Sequence, residues 1–430
     1  MATFGARLLA AAAALSAYLV LGSCAPGAGP PPAPEPEAIP QAPREAPTLG
    51  PEIRIGLQVG APALRAGGSD DLLVTDPAGA RLAVIPAGEV WRIGMGGMGL
   101  VATSPRGLSS SPADRLVIGP LAPGNPVRAN DRSYRGELEV WRAAAGLTLV
   151  NRVTLEEYLQ GVVSAEMGRR SLAERDALRA QAIVSRTYAM RNMGRRKAQG
   201  FDLFASVSDQ VYGGVPAETL EGSEAVAATR GMVLTYGGAP IDAFFYSTCG
   251  GRTATGTEAF RAADRPYLRS VADVAPDGTA YCAISPRFRW REVWTGESLR
   301  ATLRQTLPAA TGTPVARVRQ VNDVRVVYRT YSGRVGKLGI DLPESEVMVD
   351  GPAVRTVLRT PSGEMLRSSA FDLTVTTAGH QVTRLVADGG GAGHGVGFCQ
   401  WGAVGRSRAG QDVRQILDAY YPGVTLERLY

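Results

Sequence analysis

Cysteine and histidine are scarce in this sequence, which has four cysteines and two histidines in 430 residues. The cysteines are Cys24, Cys249, Cys282 and Cys399, and no two of them form the Cys-x-x-Cys pair that is typical of zinc-binding sequences. The sequence therefore carries no strong local signature of a metal site.

A dense basic block is also missing. The formal net charge is +6, but the arginines are scattered along the chain and aromatic residues are not interleaved with them. Nucleic-acid-binding proteins usually concentrate basic residues in one patch or stripe. We therefore expect no nucleic acid partner.

The glycine-rich run at 389–397 is not followed by the Gly-Lys-Ser/Thr that a phosphate-binding loop requires. A nucleotide site is therefore a weak interpretation. We expect instead a loop that passes close to a substrate or a metal ion, with Gln400 and Trp401 presented directly after it.

The N-terminal residues have the features of an exported lipoprotein. Residues 1–23 combine a basic residue with an apolar run, which is typical of a signal peptide and too short to be preferred as a membrane-spanning helix. Leu21 to Cys24 resemble a bacterial lipobox, so Cys24 is the predicted lipid anchor; an ordinary signal peptide with an incidental cysteine is the alternative. Residues 24–51 are rich in Pro and Ala and predict an extended tether. We expect a membrane-anchored lipoprotein of the bacterial cell envelope, facing the periplasm or the cell wall.

Residues 52–150 contain short apolar runs that mostly alternate and are separated by turn residues, which predicts a β-rich region. Its role stays open between support of the rest of the chain and glycan binding through Trp91 and Trp141. Residues 151–430 mix helical and strand patterns, with a second β-rich part at about 310–385. The predicted fold class is α+β.

Glu166 breaks the pattern of a predicted helix. Thr154 and Glu157 have the form of a capping box, and an apolar stripe with helical spacing follows and reaches Val162. Four residues later the stripe calls for another apolar side chain, and the sequence supplies Glu166. Burial favours the neutral form of a carboxyl group and raises its pKa toward the range of a general acid. Glu166 is therefore the candidate catalytic residue.

The alternative is that Glu166 lies at the mouth of the helix in an ion pair. The possible partners are Arg169, Arg170 and Arg186. Ser171 and Glu174 form a second capping box, which predicts an Ala-rich helix to about Met193.

Seven ordered segments resemble the SpoIID/LytB family, which contains stage II sporulation protein D and the amidase enhancer. They are LEEYLQGVVSAEM, ALRAQAIVSRTYA, AVAATRGMVLTYGGAPIDAFFYSTCGGRT, PYLRSV, LRSSAFDL, GHGVGFCQWGA and ILDAYYPG. The resemblance implies a mixed α+β catalytic core with helices around a glycan groove, preceded here by the β-rich region. The glutamate of the family's Glu-Met block falls on Glu166, and Gly168 stands where the family usually has proline.

The resemblance implies that Arg186 and Tyr188 lie beside Glu166, while the sequence pattern places Tyr246 and Ser247 at a strand end and Gln400 and Trp401 after the glycine-rich loop. An Arg can hold a ring hydroxyl or acetamido oxygen, and a Tyr can stack on the apolar face of a sugar. The expected substrate contacts are Arg186, Tyr188, Tyr246, Ser247, Gln400 and Trp401.

Three cysteines remain when Cys24 is acylated, an odd number for an exported protein. Cys249, Cys282 and Cys399 could form a Cys3His zinc site with His394, or one disulfide could form and leave a free thiol, or all three could stay free and buried. The resemblance favours zinc, because some family members bind it near the active site. A site with four protein ligands has no open position, so its role would be structural.

The activity that the resemblance implies is lytic transglycosylation of peptidoglycan. Glu166 would protonate the glycosidic oxygen between MurNAc and GlcNAc, and the C6 hydroxyl of the sugar would close on the anomeric carbon, with no cofactor needed for the chemistry. A second carboxylate near Glu166 would indicate hydrolysis instead. The candidates are Asp176, Asp202, Asp209 and Asp242.

A different class of function is also open. The family's enhancer members stimulate a separate enzyme, so this chain could be a non-catalytic wall-binding activator of an N-acetylmuramoyl-L-alanine amidase. The expected partners are peptidoglycan glycan strands, the membrane through the lipid anchor, and a cell-wall amidase.

Overall fold

The structure, a computed structural model, describes residues 50–260 and 264–430. The predicted signal peptide, the predicted lipid anchor Cys24 and the tether up to residue 49 lie outside the described residues. In the part of the chain that the structure covers, no helix has the length and apolar character needed to cross a membrane.

The region predicted to be β-rich consists of strands and turns. Residues of alternate positions face a core, as Leu72 and Val74 do while their neighbours are half-buried. The strands are β1 (Glu52–Ala61), β2 (Leu64–Gly67), β3 (Leu72–Thr75), β4 (Arg81–Ile85), β5 (Val90–Met95), β6 (Leu100–Thr103), β7 (Arg115–Pro120), β8 (Val127–Ala129), β9 (Arg132–Tyr134), β10 (Glu137–Ala143) and β11 (Gly146–Thr154). Trp91 is buried, and Trp141 is half-buried beneath the Arg115 guanidinium, so both have packing roles.

The predicted capping box of Ser171 and Glu174 is confirmed, whereas Thr154 forms an N-cap without the reciprocal bond from its backbone amide to Glu157, whose carboxylate accepts from the Thr154 hydroxyl instead. The Thr154 hydroxyl accepts from the Glu157 amide at 3.4 Å, and the Ser171 amide donates to the Glu174 carboxylate at 2.9 Å. The elements of this middle part are α1 (Leu155–Met167), α2 (Arg175–Asn192), β12 (Leu203–Phe204), α3 (Leu220–Ala228), β13 (Met232–Tyr236), β14 (Ala239–Pro240), β15 (Phe245–Tyr246) and α4 (Gly256–Ala259).

Strand β11 continues into α1 without a connecting loop, since the strand ends at Thr154 and the helix begins at Leu155. A seven-stranded sheet has the order β12-β1-β11-β10-β7-β3-β4, and a five-stranded sheet has the order β6-β5-β2-β8-β9. One hydrophobic core includes strand residues such as Ile53 and helix residues such as Val162. The boundary that the sequence suggested at residue 150 therefore falls inside β11, and the strands and helices pack as one body.

A second hydrophobic core lies between residues 290 and 387 and includes Trp294, Leu303 and Ile340. Its elements are β16 (Arg289–Thr295), α5 (Gly296–Thr311), β17 (Asp323–Arg329), β18 (Val335–Leu342), β19 (Ser345–Asp350), α6 (Gly351–Val357), β20 (Phe371–Ala378) and β21 (Gln381–Gly390). They form two three-stranded sheets, β16-β21-β20 and β17-β18-β19. The predicted α+β class is confirmed.

The chain then returns to the first core. The last elements are β22 (Phe398–Cys399), α7 (Gln400–Arg408), α8 (Val413–Tyr420) and β23 (Thr425–Arg428). Strand β22 pairs in parallel with β15, with Tyr246 opposite Cys399, and β23 completes the sheet β14-β13-β23. These pairings bring the glycine-rich run next to the residues that precede Cys249.

A buried ion pair joins α1 to α2. Arg186 has no exposed surface, and its Nε and Nη2 donate to the two carboxylate oxygens of Glu156 at 2.7 and 2.8 Å. The same guanidinium donates to the backbone oxygens of Val226 and Met232 at 3.3 and 3.2 Å. The expected contact between Arg186 and a sugar is therefore wrong, because the side chain is enclosed and its donors are occupied inside the protein.

The Arg186→Ala substitution should destabilise the protein by about 3–5 kcal/mol, because it leaves the Glu156 carboxylate buried without its partner. Urea denaturation followed by circular dichroism measures this free energy. Arg191→Ala is the matched control on the same helix, since the Arg191 pair with Asp242 is partly exposed and should contribute less than about 1 kcal/mol. Equal losses for the two variants would contradict the assignment of Arg186 as a structural residue.

Candidate active site

Glu166 lies in the last turn of α1, at the junction of three segments. Its Oε1 accepts from the Val211 amide at 2.8 Å, and its Oε2 accepts from Nε2 of Gln400 at 3.3 Å. The helix ends at Met167 and is capped by Gly168. The φ of Gly168 is +67°, and its backbone amide donates a hydrogen bond to the Ser164 oxygen. Proline cannot adopt this φ or donate this hydrogen bond, so the sequence position where the family usually has proline takes a different geometry here.

The environment of Glu166 raises the pKa of its carboxyl group. Burial is the largest effect and disfavours the charged form, while the hydrogen bonds from Val211 and Gln400 act in the opposite direction and only partly offset it. The sequence-based expectation of a raised pKa agrees with this environment.

The alternative of an arginine ion pair is not found in residues 50–260 and 264–430. Arg186 is bound to Glu156, and Arg169 is exposed. The Arg170 guanidinium lies over the Trp401 ring, with 4.5 Å between its Cζ and the ring centroid. The Glu166 carboxyl group is thus held by an amide and a carboxamide rather than by a cation.

Gln400 is the first residue of α7 and is 7% exposed. Besides Glu166, its Nε2 contacts Oε1 of Gln181 at 3.4 Å, and Gln181 in turn donates to Ser185 at 2.9 Å. Gln181, a neutral side chain of α2, therefore helps to orient the Gln400 amide toward the carboxyl group. The sequence placed Gln400 near the site but gave no sign of the contact with Gln181.

Trp401 and Arg170 form a half-buried pair beside Gln400. The Trp401 amide donates to the Ser247 oxygen at 3.0 Å, which ties the start of α7 to the end of β15. Arg170 carries a buried Nε without a hydrogen-bond partner among the described residues. Sequence reasoning considered Arg170 only as an ion-pair partner, although its position four residues after Glu166 is a signal that it lies near the site.

The two expected tyrosine contacts are packing residues instead. Tyr188 is 7% exposed, donates to Asp209 at 3.1 Å and packs edge-on against Phe245. Tyr246 is 5% exposed, and its hydroxyl is buried without a hydrogen-bond partner in the described part of the chain. Neither ring presents a face on which a sugar could stack. Ser247 is half-buried and acts here through its backbone oxygen.

The four aspartates that could have supplied a second carboxylate are held elsewhere. Asp176 pairs with Arg179, and Asp242 pairs with Arg191 and Arg265. The remaining two are also engaged: Asp202 accepts from the backbone amides of Arg54 and Gly194, and Asp209 pairs with Arg196 at 2.8 Å. Among the described residues, none of the four contacts Glu166.

Three cysteines converge on one buried point behind Gln400. Cys249, Cys282 and Cys399 are free thiols, with 3.3 Å between Sγ of Cys249 and Sγ of Cys282. A disulfide would need about 2.05 Å. The neighbouring thiols, together with the amides of Gly250 and Gly251, lower the pKa of Cys282 to about 3. Burial raises the pKa of Cys249 and Cys399, so only Cys282 favours the thiolate form, and the structure shows three close free cysteines rather than the disulfide alternative.

The fourth member of the cluster is Asp273 and not His394. The ligand atoms of Asp273 and the three cysteines all lie within 4.8 Å of one another. His394 is committed elsewhere, because its Nε2 lies 2.8 Å from the Phe245 oxygen and its Nδ1 accepts from the Val396 amide. The expected Cys3His set is therefore corrected to Cys3Asp. No sequence pattern marked Asp273, which is distant in sequence from Glu166, the other acidic residue of the site.

The donor set fits a zinc ion. Zinc takes thiolates and carboxylates in tetrahedral sites, and bonds of about 2.3 Å separate the ligand atoms by roughly 3.8 Å. Carboxylates that bind a metal ion usually accept hydrogen bonds from surrounding residues. Asp273 does so, since Arg406 and Tyr420 donate to it at 3.0 Å each. Because Gln400 follows Cys399 directly, the cluster fixes the start of α7 and, through it, the partner of Glu166.

Comparison with known proteins places this chain in a family. The sequence profile described as stage II sporulation protein matches residues 143–236, and a profile described as a domain of unknown function matches residues 281–397. The first includes Glu166, and the second coincides with the second hydrophobic core. Stage II sporulation protein D of Bacillus amyloliquefaciens is 30% identical over 292 residues, which cover 64% of this chain and 75% of that protein. The chain belongs to the stage II sporulation protein D family, as the sequence segments predicted.

Two further relatives are similar to this chain. An uncharacterized protein of Brachyspira hyodysenteriae is 29% identical over 298 residues, covering 69% of this chain and 73% of that protein. The amidase enhancer of Bacillus subtilis is 28% identical over 300 residues, covering 62% of this chain and 40% of that protein. The chain therefore spans less than half the length of the amidase enhancer.

The Gln400→Leu substitution should raise the pKa of Glu166 further, because it removes a donor that stabilises the ionised carboxylate. The pKa can be read from the side-chain carboxyl resonances of carbon-13-labelled glutamate during a pH titration. Gln160→Leu, on the same helix but in contact with Ser223, is the control and should leave this resonance unchanged. A lower pKa of Glu166 in the Gln400→Leu variant would contradict the assigned contact.

Proposed function

We propose that this protein cleaves the glycan strands of peptidoglycan by lytic transglycosylation, with Glu166 as the only acid and base. Glu166 protonates the glycosidic oxygen between MurNAc and GlcNAc as the bond to the anomeric carbon breaks. The ionised carboxylate then takes the proton of the sugar's C6 hydroxyl, whose oxygen bonds to the same anomeric carbon. The product is a 1,6-anhydroMurNAc end.

One observation carries the proposal: a half-buried carboxyl group with a raised pKa is held by two neutral donors. A general acid must be protonated before the reaction, which burial favours. It must also be stable as a carboxylate after the proton has left, and the Val211 amide and the Gln400 side chain supply the hydrogen bonds for that state.

The absence of a second free carboxylate beside Glu166 among the described residues supports transglycosylation over hydrolysis. Glycoside hydrolases usually use a second carboxylate as nucleophile or as the base that activates water. A reaction in which the sugar's own hydroxyl is the nucleophile needs neither. The four candidate aspartates are instead bound to arginines or backbone amides.

Trp401 and Arg170 are the residues that we assign to substrate binding next to Glu166. An indole can support the apolar face of a sugar ring, and the stacked guanidinium offers donors to its oxygens. This assignment replaces Arg186, Tyr188 and Tyr246, whose side chains are enclosed.

Glu166→Gln should lower the rate of glycan cleavage by roughly 10²–10⁴-fold or more, because the amide cannot donate or accept the proton. The assay digests purified glycan strands, with and without stem peptides, and measures anhydro-muropeptides by mass spectrometry. In the wild-type protein kcat/KM should fall as the pH rises through the raised pKa of Glu166, since only the protonated carboxyl group can act as the acid.

Glu157→Gln is the matched control, because it removes another carboxylate of α1 while glutamine still fits the capping position. It should retain wild-type cleavage. Folding of both variants can be compared by circular dichroism. Wild-type turnover in a folded Glu166→Gln variant would exclude the proposed mechanism.

A second candidate function is activation of an N-acetylmuramoyl-L-alanine amidase without catalysis. The similarity to the amidase enhancer of Bacillus subtilis favours it. The same variant separates the two functions, because a Glu166→Gln protein that still stimulates amidase turnover on intact peptidoglycan would act as an activator. Both functions require an exported protein at the cell envelope, in agreement with the proposed lipid anchor at Cys24.

We also propose that Cys249, Cys282, Cys399 and Asp273 hold a structural zinc ion. The ion would fix the Cys249 turn and the start of α7 and would take no part in the proton transfers. Its four protein ligands would leave no position for water or substrate.

The purified protein should contain about one zinc ion per chain by mass spectrometry of the metal, and Cys282→Ser should lose it. His394→Asn is the discriminating control, because it tests the ligand set expected from the sequence and should retain the metal. Cobalt substitution gives a second readout through thiolate charge-transfer absorption. Loss of metal in His394→Asn with retention in Asp273→Asn would overturn the Cys3Asp assignment.

A further inference from the structure

A cavity of about 440 Å³ lies between the turn after Cys249 and the second hydrophobic core. We call it the arginine pocket. Its charged lining consists of Arg252, Arg289, Arg329, Arg334, Asp372 and Asp388. The first two arginines lie on the turn after Cys249 and at the start of β16, and the next two lie at the two ends of the hairpin that joins β17 to β18.

The charges of the arginine pocket do not balance. Arg329 donates to Asp372 at 2.5 Å, and Asp388 is bound by Arg291 at 2.6 Å, so both carboxylates already have a partner. Arg252, Arg289 and Arg334 have no carboxylate within ion-pair distance in the described ranges. Three guanidinium groups thus share one cavity without a counter-charge from the protein.

Arg334 makes this imbalance costly, because it is only 4% exposed. Its Nη atoms donate to neutral oxygens, including the Cys249 carbonyl at 3.2 Å and the Ser332 hydroxyl at 3.1 Å. Its Nε is buried and has no hydrogen-bond partner among the described residues. A buried guanidinium normally has a carboxylate or another anion beside it, since its desolvation is otherwise uncompensated.

The surrounding backbone is shaped to hold these arginines. Gly395 has a φ of +91°, and a Cβ atom there would lie 2.6 Å from Nη2 of Arg334, so only glycine allows the guanidinium to pack at this place. Nη1 of Arg289 donates to the Gly250 carbonyl at 3.2 Å. Two of the three unbalanced arginines are therefore fixed by backbone atoms before any ligand arrives.

We propose that the arginine pocket binds a polyatomic oxyanion, a phosphate or carboxylate group carried by a small polar molecule or by a wall polymer. Guanidinium groups match the paired oxygens of both anions, and a bound anion would supply the counter-charge that the three arginines lack. The cavity volume exceeds that of a bare phosphate, so there is room for the group to which the anion is attached.

This site is separate from the chemistry assigned to Glu166. None of the residues in contact with the Glu166 carboxyl group lines the arginine pocket. The pocket meets the cysteine cluster only at the Cys249 and Gly250 segment. Anion binding can therefore be tested without reference to glycan cleavage, and Glu166→Gln should bind the anion as the wild-type protein does.

The test is isothermal titration calorimetry of the purified protein with three probes: inorganic phosphate, glycerol phosphate and N-acetylmuramic acid. Saturable binding should weaken about tenfold in Arg252→Ala, which removes an exposed arginine that has no ion pair in the described residues, and should be lost in Arg252→Glu. Arg289→Ala is a second variant, and it should also weaken the binding about tenfold.

Arg106→Ala is the matched control, because Arg106 is an exposed arginine outside the pocket and should leave the affinity unchanged. Tighter binding of glycerol phosphate than of N-acetylmuramic acid would identify a phosphate ligand, and the reverse order would identify a carboxylate ligand. No saturable binding of any probe up to about 10 mM would overturn the proposal. Wild-type affinity in folded Arg252→Glu and Arg289→Ala proteins would also overturn it.

Discussion

The position of one carboxyl group depends on a contact among three segments that are distant in sequence. Glu166 at the end of α1 is held by the amide of Val211 and by Gln400 at the start of α7. Burial raises the pKa of this carboxyl group and favours its neutral form, whereas the two donors stabilise its ionised form. The proposed reaction would use the carboxyl group in both states, and this balance depends on α1, the Val211 segment and α7 together.

Other buried polar groups hold in place the helices that make this contact. The Glu156–Arg186 pair joins α1 to α2, and Gln181 of α2 orients the side chain of Gln400. The cysteine cluster ends at Cys399, the residue before Gln400. Each of these groups is expensive to bury alone and is satisfied only when the helices are packed in one arrangement. The same interactions that restrict the fold therefore set the geometry at the carboxyl group.

The sequence predicted the parts of this arrangement that are local. The N-cap at Thr154, the capping box at Ser171, the helices that follow them and the exceptional position of Glu166 all depend on residues within a few turns of one another. The roles of Arg186 and Asp273 could not be predicted, because they depend on which distant residue lies opposite. The residues next to Arg186 in the sequence do not show whether its side chain is buried or lines a groove. Only the packed structure shows that Glu156 lies beside it. For the same reason the choice between His394 and Asp273 required the fold.

The two hydrophobic cores are attached to the chain in different ways. Strand β11 passes into α1 with no spacer, so adding or removing one residue there would turn Glu166 by about 100° around the helix axis. The segment that contains the second core begins at Arg289 in β16 and ends at Gly390 in β21, and these two residues are paired neighbours in adjacent strands. A segment whose ends meet in this way can be exchanged for another during evolution without disturbing the body that carries it. A change in the length of this segment would leave the β11–α1 junction, and with it the direction of Glu166, unaltered.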